Sequence, residues 1–357
     1  MDPVLAMSPW SVTVRDINLI EQESADTYRN LRMELWNRGV GVWSLTLRGD
    51  HPAVPHILAD GAGIVVRHRA TDKVECSGPA LDIYVSESRE DPLGKISVVG
   101  VTDDILAFGE WAFPNPSADV SSSALSTFAQ THDTRTGNAE TVMKAYVSAN
   151  IGPAAGIVRR RYSKLLIPAS TGLGTSSTWK ARFVNLLELL QKIGIYGGVT
   201  HRFVQNESNQ IELEVWVPTN NPEVIFSMEA KNVESLVGIK RLPDVNEILG
   251  GGGGEGDARV FTRRSSTALQ TQYGFRRVEF LNQTHTVDLA ELRQPLDERM
   301  IEGSAEAGVT ITPINVPWLQ YGVHYRLGDV GTGVFRGVEV TKTIEHVILE
   351  HNEGEAP

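Results

Sequence analysis

At 357 residues the chain has room for two or three domains of about 100–200 residues each, and with 41% apolar and 22% charged residues it has the composition of a globular protein with real cores. A net charge of −11 argues against a nucleic-acid binder that works by neutralising phosphates, which needs a basic face. The single cysteine, Cys76, excludes an internal disulfide framework and a cysteine-based zinc site.

The opening MDPVLAMSPWSVTV has no basic stretch followed by a long apolar run, so no secretory signal is expected. No window approaches ~18 uninterrupted apolar residues, so no membrane span and no stable membrane binding are expected, and synthesis in a cytosol is. Residues 1–118 read as strands. In LRMELW, Leu31, Met33 and Leu35 alternate with polar positions and Trp36. An Asn37-Arg38-Gly39 turn leads to VWSLTLR, with Trp43, Leu45 and Leu47 on one face. GIVVRHR (63–69), ALDIYVSE (80–87) and KISVVGVTD (95–103) continue the pattern, which predicts a small antiparallel barrel or sandwich. WAFPNPSAD (111–119) has two prolines and no period, and predicts the exit from that domain.

The next stretch, 119–218, reads as an α+β unit. GNAETVMKAYVSANIGP predicts a helix capped by Asn138, with Val142, Tyr146 and Ala149 on one face. STWKARFVNLLELLQKIG predicts a second helix, capped at Ser177 and closed at Gly194, with Phe183, Leu186, Leu187, Leu190 and Ile193 at helical spacing. HRFVQNESNQIELEVWVP predicts a hairpin across Asn-Glu-Ser-Asn, with Ile211, Leu213, Val215 and Val217 facing one way. Strands resume at EVIFSMEAKNVESLVGIKR (223–241) and are interrupted by a run of five glycines, Gly250 to Gly254. GFRRVEFLN (274–282) reads as a strand, VDLAELRQPLDERMIEG (287–303) as a helix broken or restarted at Pro295, and GVTITPINV and GVFRGVEVTKTIEHVILEHN as closing strands after a YRLGD turn.

Tests for chemistry find no active site. The glycine run lacks the lysine of a phosphate-binding loop and carries Glu255 and Asp257 where a phosphate would be repelled. STGLGTSS (170–177) could offer amides to an anion at a helix start, but its Ser and Thr read more simply as caps. HPAVPH has prolines that exclude a helix, so His51 and His56 share no helical face, and His346 and His351 fall on opposite faces of a strand, so no metal site is expected. No Gly-x-Ser-x-Gly elbow is present, and Cys76 reads as a buried small group. Asp103-Asp104 reads as a solvated turn, and Arg-Gly-Asp at 48–50 as a turn after a strand. The basic cluster Arg159, Arg160, Arg161 and Lys164 reads as a solvated strand edge, with an anionic partner as the alternative. No catalytic, cofactor or metal residue emerges.

Several stretches taken together resemble the tail-tip, or baseplate, hub family of long non-contractile-tailed phages, minor tail proteins of actinobacterial phages. They are VWSLTLRGDHPAV, GAGIVVRHR and CSGPAL (42–81), ISVVGVTDDILAFGEWAFPNP (96–116), and AETVMKAYVSANIGPAAGIVRRR (139–161). ARFVNLLELLQKIG (181–194), GGGEGDARVF (252–261), YGFRRVEFLNQ (273–283) and YGVHYRLGDVG (321–331) complete the ordered set. The loops that carry the family motif are Gly254, Glu255, Gly256 and Arg259, and Gly328 with Asp329.

The resemblance implies a β-rich α+β fold of two tail-tube-like antiparallel β-barrels with two inserted α+β units, similar to the central hub of contractile tails. It implies a first barrel at 1–118, an α+β insertion at 119–218, a second, split barrel at 219–249 and 306–352, a second insertion with the Gly-rich loop at 250–305, and an acidic tail at 353–357. It implies a structural homotrimer at the distal tail tip of the virion, made in the bacterial host cytoplasm. Six barrels from three subunits would adapt sixfold to threefold symmetry. Implied partners are the distal tail protein ring, the tape measure protein, and a central fibre, spike or other tail-tip proteins, with genomic DNA only in passage through the lumen. No lytic extension follows Pro357 in this sequence, so that activity is not implied. A tail-associated cell-wall hydrolase or peptidase, and a carbohydrate-binding host-recognition module using Trp36, Trp111, Trp179 or Trp318, are the alternatives. Core or interface packing is the simpler reading of those tryptophans.

Overall fold

The computed structural model describes residues 8–240, 242–284, 286–303, 307–314 and 316–352; the acidic tail at 353–357 lies outside them. The chain forms two compact units. One comprises 1–224, 315–331 and 342–357, and the other 225–314 and 332–341.

The first unit is organised on an eight-stranded antiparallel sheet. Its strands are β1 (Trp10–Arg15), β2 (Glu21–Ser24), β3 (Asn30–Trp36), β4 (Val42–Arg48), β5 (Gly63–His68), β6 (Lys73–Ser86), β7 (Lys95–Val101) and the C-terminal β23 (His346–Asn352). They run in the order β2-β1-β5-β6-β7-β4-β3-β23. Alternation makes the core: Leu31, Met33 and Leu35 of β3 and Trp43, Leu45 and Leu47 of β4 are at most 4% exposed. Each such side chain contributes roughly 1.5–3 kcal/mol of burial. The ladder has two free edges, β2 and β23, so hydrogen bonds among the described residues do not close it into a barrel.

Of the stretch 306–352 expected in a second barrel, residues 346–352 form β23 and pair with β3 of this sheet. Val347, Leu349 and His351 stand opposite Leu35, Met33 and Leu31, on the face that shares the first core. A one-residue slip would turn that face to water, so register and location are fixed together. One-turn helices α1 (Val54–Ile57) and α2 (Ile105–Phe108) follow β4 and β7. α1 corrects the expectation that the prolines exclude a helix from HPAVPH: Pro55 is accommodated because a first-turn residue needs no amide partner, and His56 lies in the helix while His51 stays outside it.

The same unit continues through β8 (Trp111–Ala112), β9 (Asp133–Asn138), α3 (Ala139–Asn150), β10 (Leu165–Leu166), β11 (Ser176–Ala181), β12 (Val184–Asn185), α4 (Leu186–Gly197), β13 (Thr200–Gln205) and β14 (Ile211–Trp216). Asn138 caps α3 as expected, accepting from the Thr141 amide at 3.0 Å. The helix predicted from Ser177 starts at Leu186 instead, capped by Asn185, and ends at Gly198 (φ +68), not Gly194. The Ser-Ser-Thr-Trp stretch ahead of it alternates, and pairs as β11 along β9 with Thr178 opposite Thr136 and Trp179 buried. Its β-branched and aromatic side chains outweigh the helical spacing that begins at Phe183. The hairpin β13–β14 forms as predicted, although Val217 lies beyond it and is exposed. One core joins Leu19, Ala107 and Ala112 to α3 and α4, so no compact boundary falls at 118/119.

The second unit contains β16 (Val233–Lys240), β17 (Glu247–Gly251), β18 (Phe261–Ser265), α5 (Thr267–Tyr273), β19 (Val278–Asn282), α6 (Leu289–Glu302) and β20 (Ala307–Pro313). The chain passes between the units within β15 (Asn220–Ser227), β21 (Val330–Phe335) and β22 (Val338–Thr343), which pair in the order β15-β21-β22. β16 pairs with β20, and β17 is the centre of the sheet β18-β17-β19. α6 runs unbroken through Pro295, correcting the expected restart.

Candidate functional site

In the first unit, charged groups that the sequence suggested were solvated meet in a buried seam. Arg15 of β1 forks onto Asp103 at 2.8 and 2.6 Å and donates to Gln205 Oε1 at 2.9 Å. Asp103 also accepts from Ser77 Oγ at 2.7 Å, and Ser77 Oγ accepts from the Gln205 amide at 2.7 Å. Asp104 accepts from Thr102 Oγ1 at 2.8 Å and from the Phe203 amide at 3.0 Å. Asp103 and Asp104 are 1% and 5% exposed, so the expected solvated turn is a buried clamp between β7 and β13. The reason lies in the flanks: VVGVT on one side and ILAF on the other draw both carboxylates inward. Burial pushes the Asp104 carboxyl up to about 7 against the opposing pull of Thr102 and Phe203.

The seam borders a cleft of about 640 Å³ whose lining includes Arg38, Glu75, Asp104, His201, Arg202, Trp216 and Asp329. Its carboxylates have internal partners. Glu75 accepts from the Tyr321 hydroxyl, and Arg202 binds Glu214 at 2.7 Å and the Glu75 carbonyl at 3.1 Å. His201 is 1% exposed with neither ring nitrogen hydrogen-bonded, and burial holds it neutral, its pKa lowered to about 3. Trp36, half exposed, stacks on His346 with centroids 3.9 Å apart.

Glu140, in the first turn of α3, is held by the stretch read as a candidate anion loop. Its Oε2 accepts from the amides of Thr171, Gly172 and Leu173 at 2.9, 2.9 and 3.0 Å, and from Thr171 Oγ1 at 3.0 Å. Lys144 Nζ binds Oε1 at 2.7 Å. Burial pushes this carboxyl up, but Lys144 and the loop donors prevail and hold it at about 2. STGLGTSS therefore leads into a strand, not a helix, and the anion it binds is the chain's own.

The motif loops lie in separate units. Gly328 (φ +86) and Asp329 close the YRLGD turn: the Gly328 amide donates to Ile344 O at 3.0 Å and Asp329 Oδ2 accepts from the Arg326 amide at 3.1 Å. A Cβ on Gly328 would stand 3.1 Å from Thr200 and 3.2 Å from Trp216.

Gly254, Glu255, Gly256 and Arg259 form one turn of the second unit. Gly254 has φ +101, and a Cβ there would lie 2.3 Å from Ala258 O. Gly256 has φ +52 with open space around it. Arg259 Nε donates to Gly252 O at 3.1 Å, and its guanidinium binds Asn282. The leading glycines are not slack, correcting the expectation that they interrupt the strands. Gly250 and Gly251 are buried in β17, and Gly252 and Gly253 donate to Val260 O and Thr286 O at 2.9 and 2.7 Å. A Cβ would meet Leu296 at 2.8 Å from Gly250, Phe280 at 2.5 Å from Gly251 and Thr286 O at 2.7 Å from Gly252. Close approach of neighbours, not turn-making, demands glycine in this run.

The other sequence candidates have ordinary surroundings. Cys76 is buried against Met33 Sδ at 3.4 Å, and burial raises its thiol pKa. Arg48 pairs with Asp50 at 3.0 Å, folding the Arg-Gly-Asp turn on itself. The basic cluster is more engaged than a solvated edge: Arg160 is 3% exposed, 3.5 Å over the Phe113 ring, and Asp119 pairs with both Arg159 and Arg160. Trp179 is core, whereas Trp111 and Trp318 are 51% and 64% exposed. Among the described residues no cluster of three His, Cys, Asp or Glu is placed to hold a metal, and no helix is long and apolar enough to cross a membrane.

This β-rich architecture is the setting for the comparison with known proteins. Residues 11–357 match the family described as siphovirus ReqiPepy6 Gp37-like protein. The chain belongs to this siphovirus family. Its fold is similar to three solved phage tail proteins. The 43 kDa tail protein of prophage MuSo2 from Shewanella oneidensis is 12% identical over 96% of this chain and 95% of that one, with TM-score 0.60. The prophage tail protein gp18 from Listeria monocytogenes EGD-e is 9% identical over 97% and 92%, with TM-score 0.58. The tail protein from Neisseria meningitidis MC58 is 11% identical over 96% and 92%, with TM-score 0.55. Identities this low show a shared fold. No curated protein matches the sequence. The kinship expected from the ordered stretches thus holds: this is a siphovirus family with a phage tail-protein fold.

Proposed function

We propose that this member of the siphovirus family is the structural hub of the tail tip, a homotrimer that closes the distal end of the tail tube. The observation that carries the reading is coverage: the likeness to tail proteins runs over nearly the whole of both chains, not over one shared module. The eight-stranded sheet would be the first tube-like domain, and the split strands after 219 the second. The insertions would be 119–218 and 250–305, with β23 returned to the first domain. Closure of each sheet into a barrel, and of six such domains into a ring on a sixfold tube, would come with assembly. The ring would dock the distal tail protein above, hold the end of the tape measure protein, and anchor a fibre or spike below. An excess of acidic groups, net −11, suits a lumen through which DNA passes without sticking.

A hydrolase is not the favoured reading because the cleft carboxylates are committed to internal partners: Glu75 to Tyr321, Glu214 to Arg202, Glu140 to the loop amides. The exposed Trp36 beside the cleft gives a carbohydrate-binding module some support, and glycan binding by the isolated chain would bring that reading forward. The first test is the mass of the purified protein together with its presence in virions. The hub reading expects three times the 39.1 kDa chain and co-purification with tails. A soluble monomer absent from virions contradicts it.

A further inference from the structure

The three-stranded sheet of the second unit has two unlike faces. α6 covers one: Leu292 and Leu296 are buried, Arg264 pairs with Asp297 at 2.5 Å, and Arg299 pairs with Glu279 at 2.9 Å. Strand alternation puts Leu249, Phe261, Arg263, Val278 and Phe280 on the other. The four apolar side chains are 37%, 63%, 48% and 50% exposed, respectively for Leu249, Phe261, Val278 and Phe280. Gly251 lies in register between Phe261 and Asn282, with the Phe280 ring reaching over it. The Arg259 guanidinium stands 5.4 and 5.6 Å from the Phe261 and Phe280 centroids. The carboxylate on this face, Glu247, is taken by Arg276 at 2.6 Å. Among the described residues neither Arg259 nor Arg263 is in an ion pair.

We propose that this open face docks an acidic, amphipathic segment of a different virion protein, with aliphatic side chains over the Phe261–Phe280 row and carboxylates on Arg259 and Arg263. The molecule contains the pattern already: α6 satisfies the opposite face with buried leucines and a carboxylate on an arginine. A twofold contact with a second copy of the same face would set arginine against arginine, so the charge calls for an unlike partner. An aromatic row with cations at its edge is also the composition of an interface centre.

The inference rests on the tail reading, and one experiment separates the two. Full-length chain carrying Phe261→benzoylphenylalanine is supplied during infection, tails are purified and irradiated, and cross-linked peptides are sequenced. The expected product joins this chain to an Asp- or Glu-bearing peptide of another virion protein, with the yield about tenfold lower when Arg263→Glu is added. Phe261 and Arg263 are exposed, so both variants are expected to melt as the parent does. Cross-links only to copies of this chain, none although the chain is in the tail, or a yield indifferent to Arg263→Glu would overturn the proposal. If the chain is missing from tails, the tail reading fails instead, and the same cross-link is read in the infected-cell lysate with the same outcomes.

Discussion

Two glycine-rich stretches of this chain, 170–175 and 250–256, look alike as strings and differ in what glycine does. In the first, the backbone bends so that three amides converge on the Glu140 carboxylate. In the second, Gly250 and Gly251 belong to a central strand and Gly252 and Gly254 to the turn after it, where neighbours press so close that a methyl group has no room. Glycine permits amide convergence in one case and close packing in the other, and only the surroundings tell which.

The comparison breaks most visibly at Gly254. Alanine there meets Ala258 O and must hold a left-handed backbone, so Gly254→Ala should destabilise the second unit by about 2–4 kcal/mol. Chemical melts followed by a probe in that unit would show it; a loss below about 1 kcal/mol would mean the loop is slack. Next comes Glu140→Ala, which leaves three amides and Lys144 without their anion and should cost about 1–3 kcal/mol. Added formate should restore part of that stability, whereas it should do nothing for Gly254→Ala. Failure of any rescue would argue that the loop is held by packing.

A smaller effect is the pH dependence of the first stretch. The folded state holds the Glu140 carboxyl at about 2 against an ordinary 4.5. Its contribution is therefore complete above pH 4.5 and is lost as pH falls through about 2. The stability difference between the parent and Glu140→Gln should shrink over that window; a constant difference would contradict the assignment. Smallest is Gly256→Ala: with open space around it only the left-handed backbone resists, and the cost should stay within about 1–2 kcal/mol and below that of Gly254→Ala in the same melts.

How legible was this in the sequence? Alternation identified β3, β4 and the β13–β14 hairpin because each has one wet face, and Asn138 marked the start of α3. Spacing misled at Ser177, where strand pairing with β9 prevailed over a helical pattern that is real only from Leu186. The long-range placement of β23 could not be read, since pairing with β3 depends on a core formed more than 300 residues away. The seam was hidden for a related reason. Asp103-Asp104 resembles any turn until Arg15, Ser77, Gln205 and Phe203 converge on it from distant strands. Two acids enclosed by apolar runs were the available signal. The glycine run read as an interruption of the strands because the neighbours of Gly250 to Gly252, Phe280, Leu296 and Thr286, lie in later elements.

The account's central claim is that this siphovirus protein is a ring at the end of the tail. Its most direct test is an electron-microscope reconstruction of the virion tail tip at a resolution that places subunits. The account predicts three copies of this chain around the tube axis, enclosing a channel lined by Asp and Glu. A tip in which the chain is absent, or sits off the axis without enclosing a channel, would contradict it.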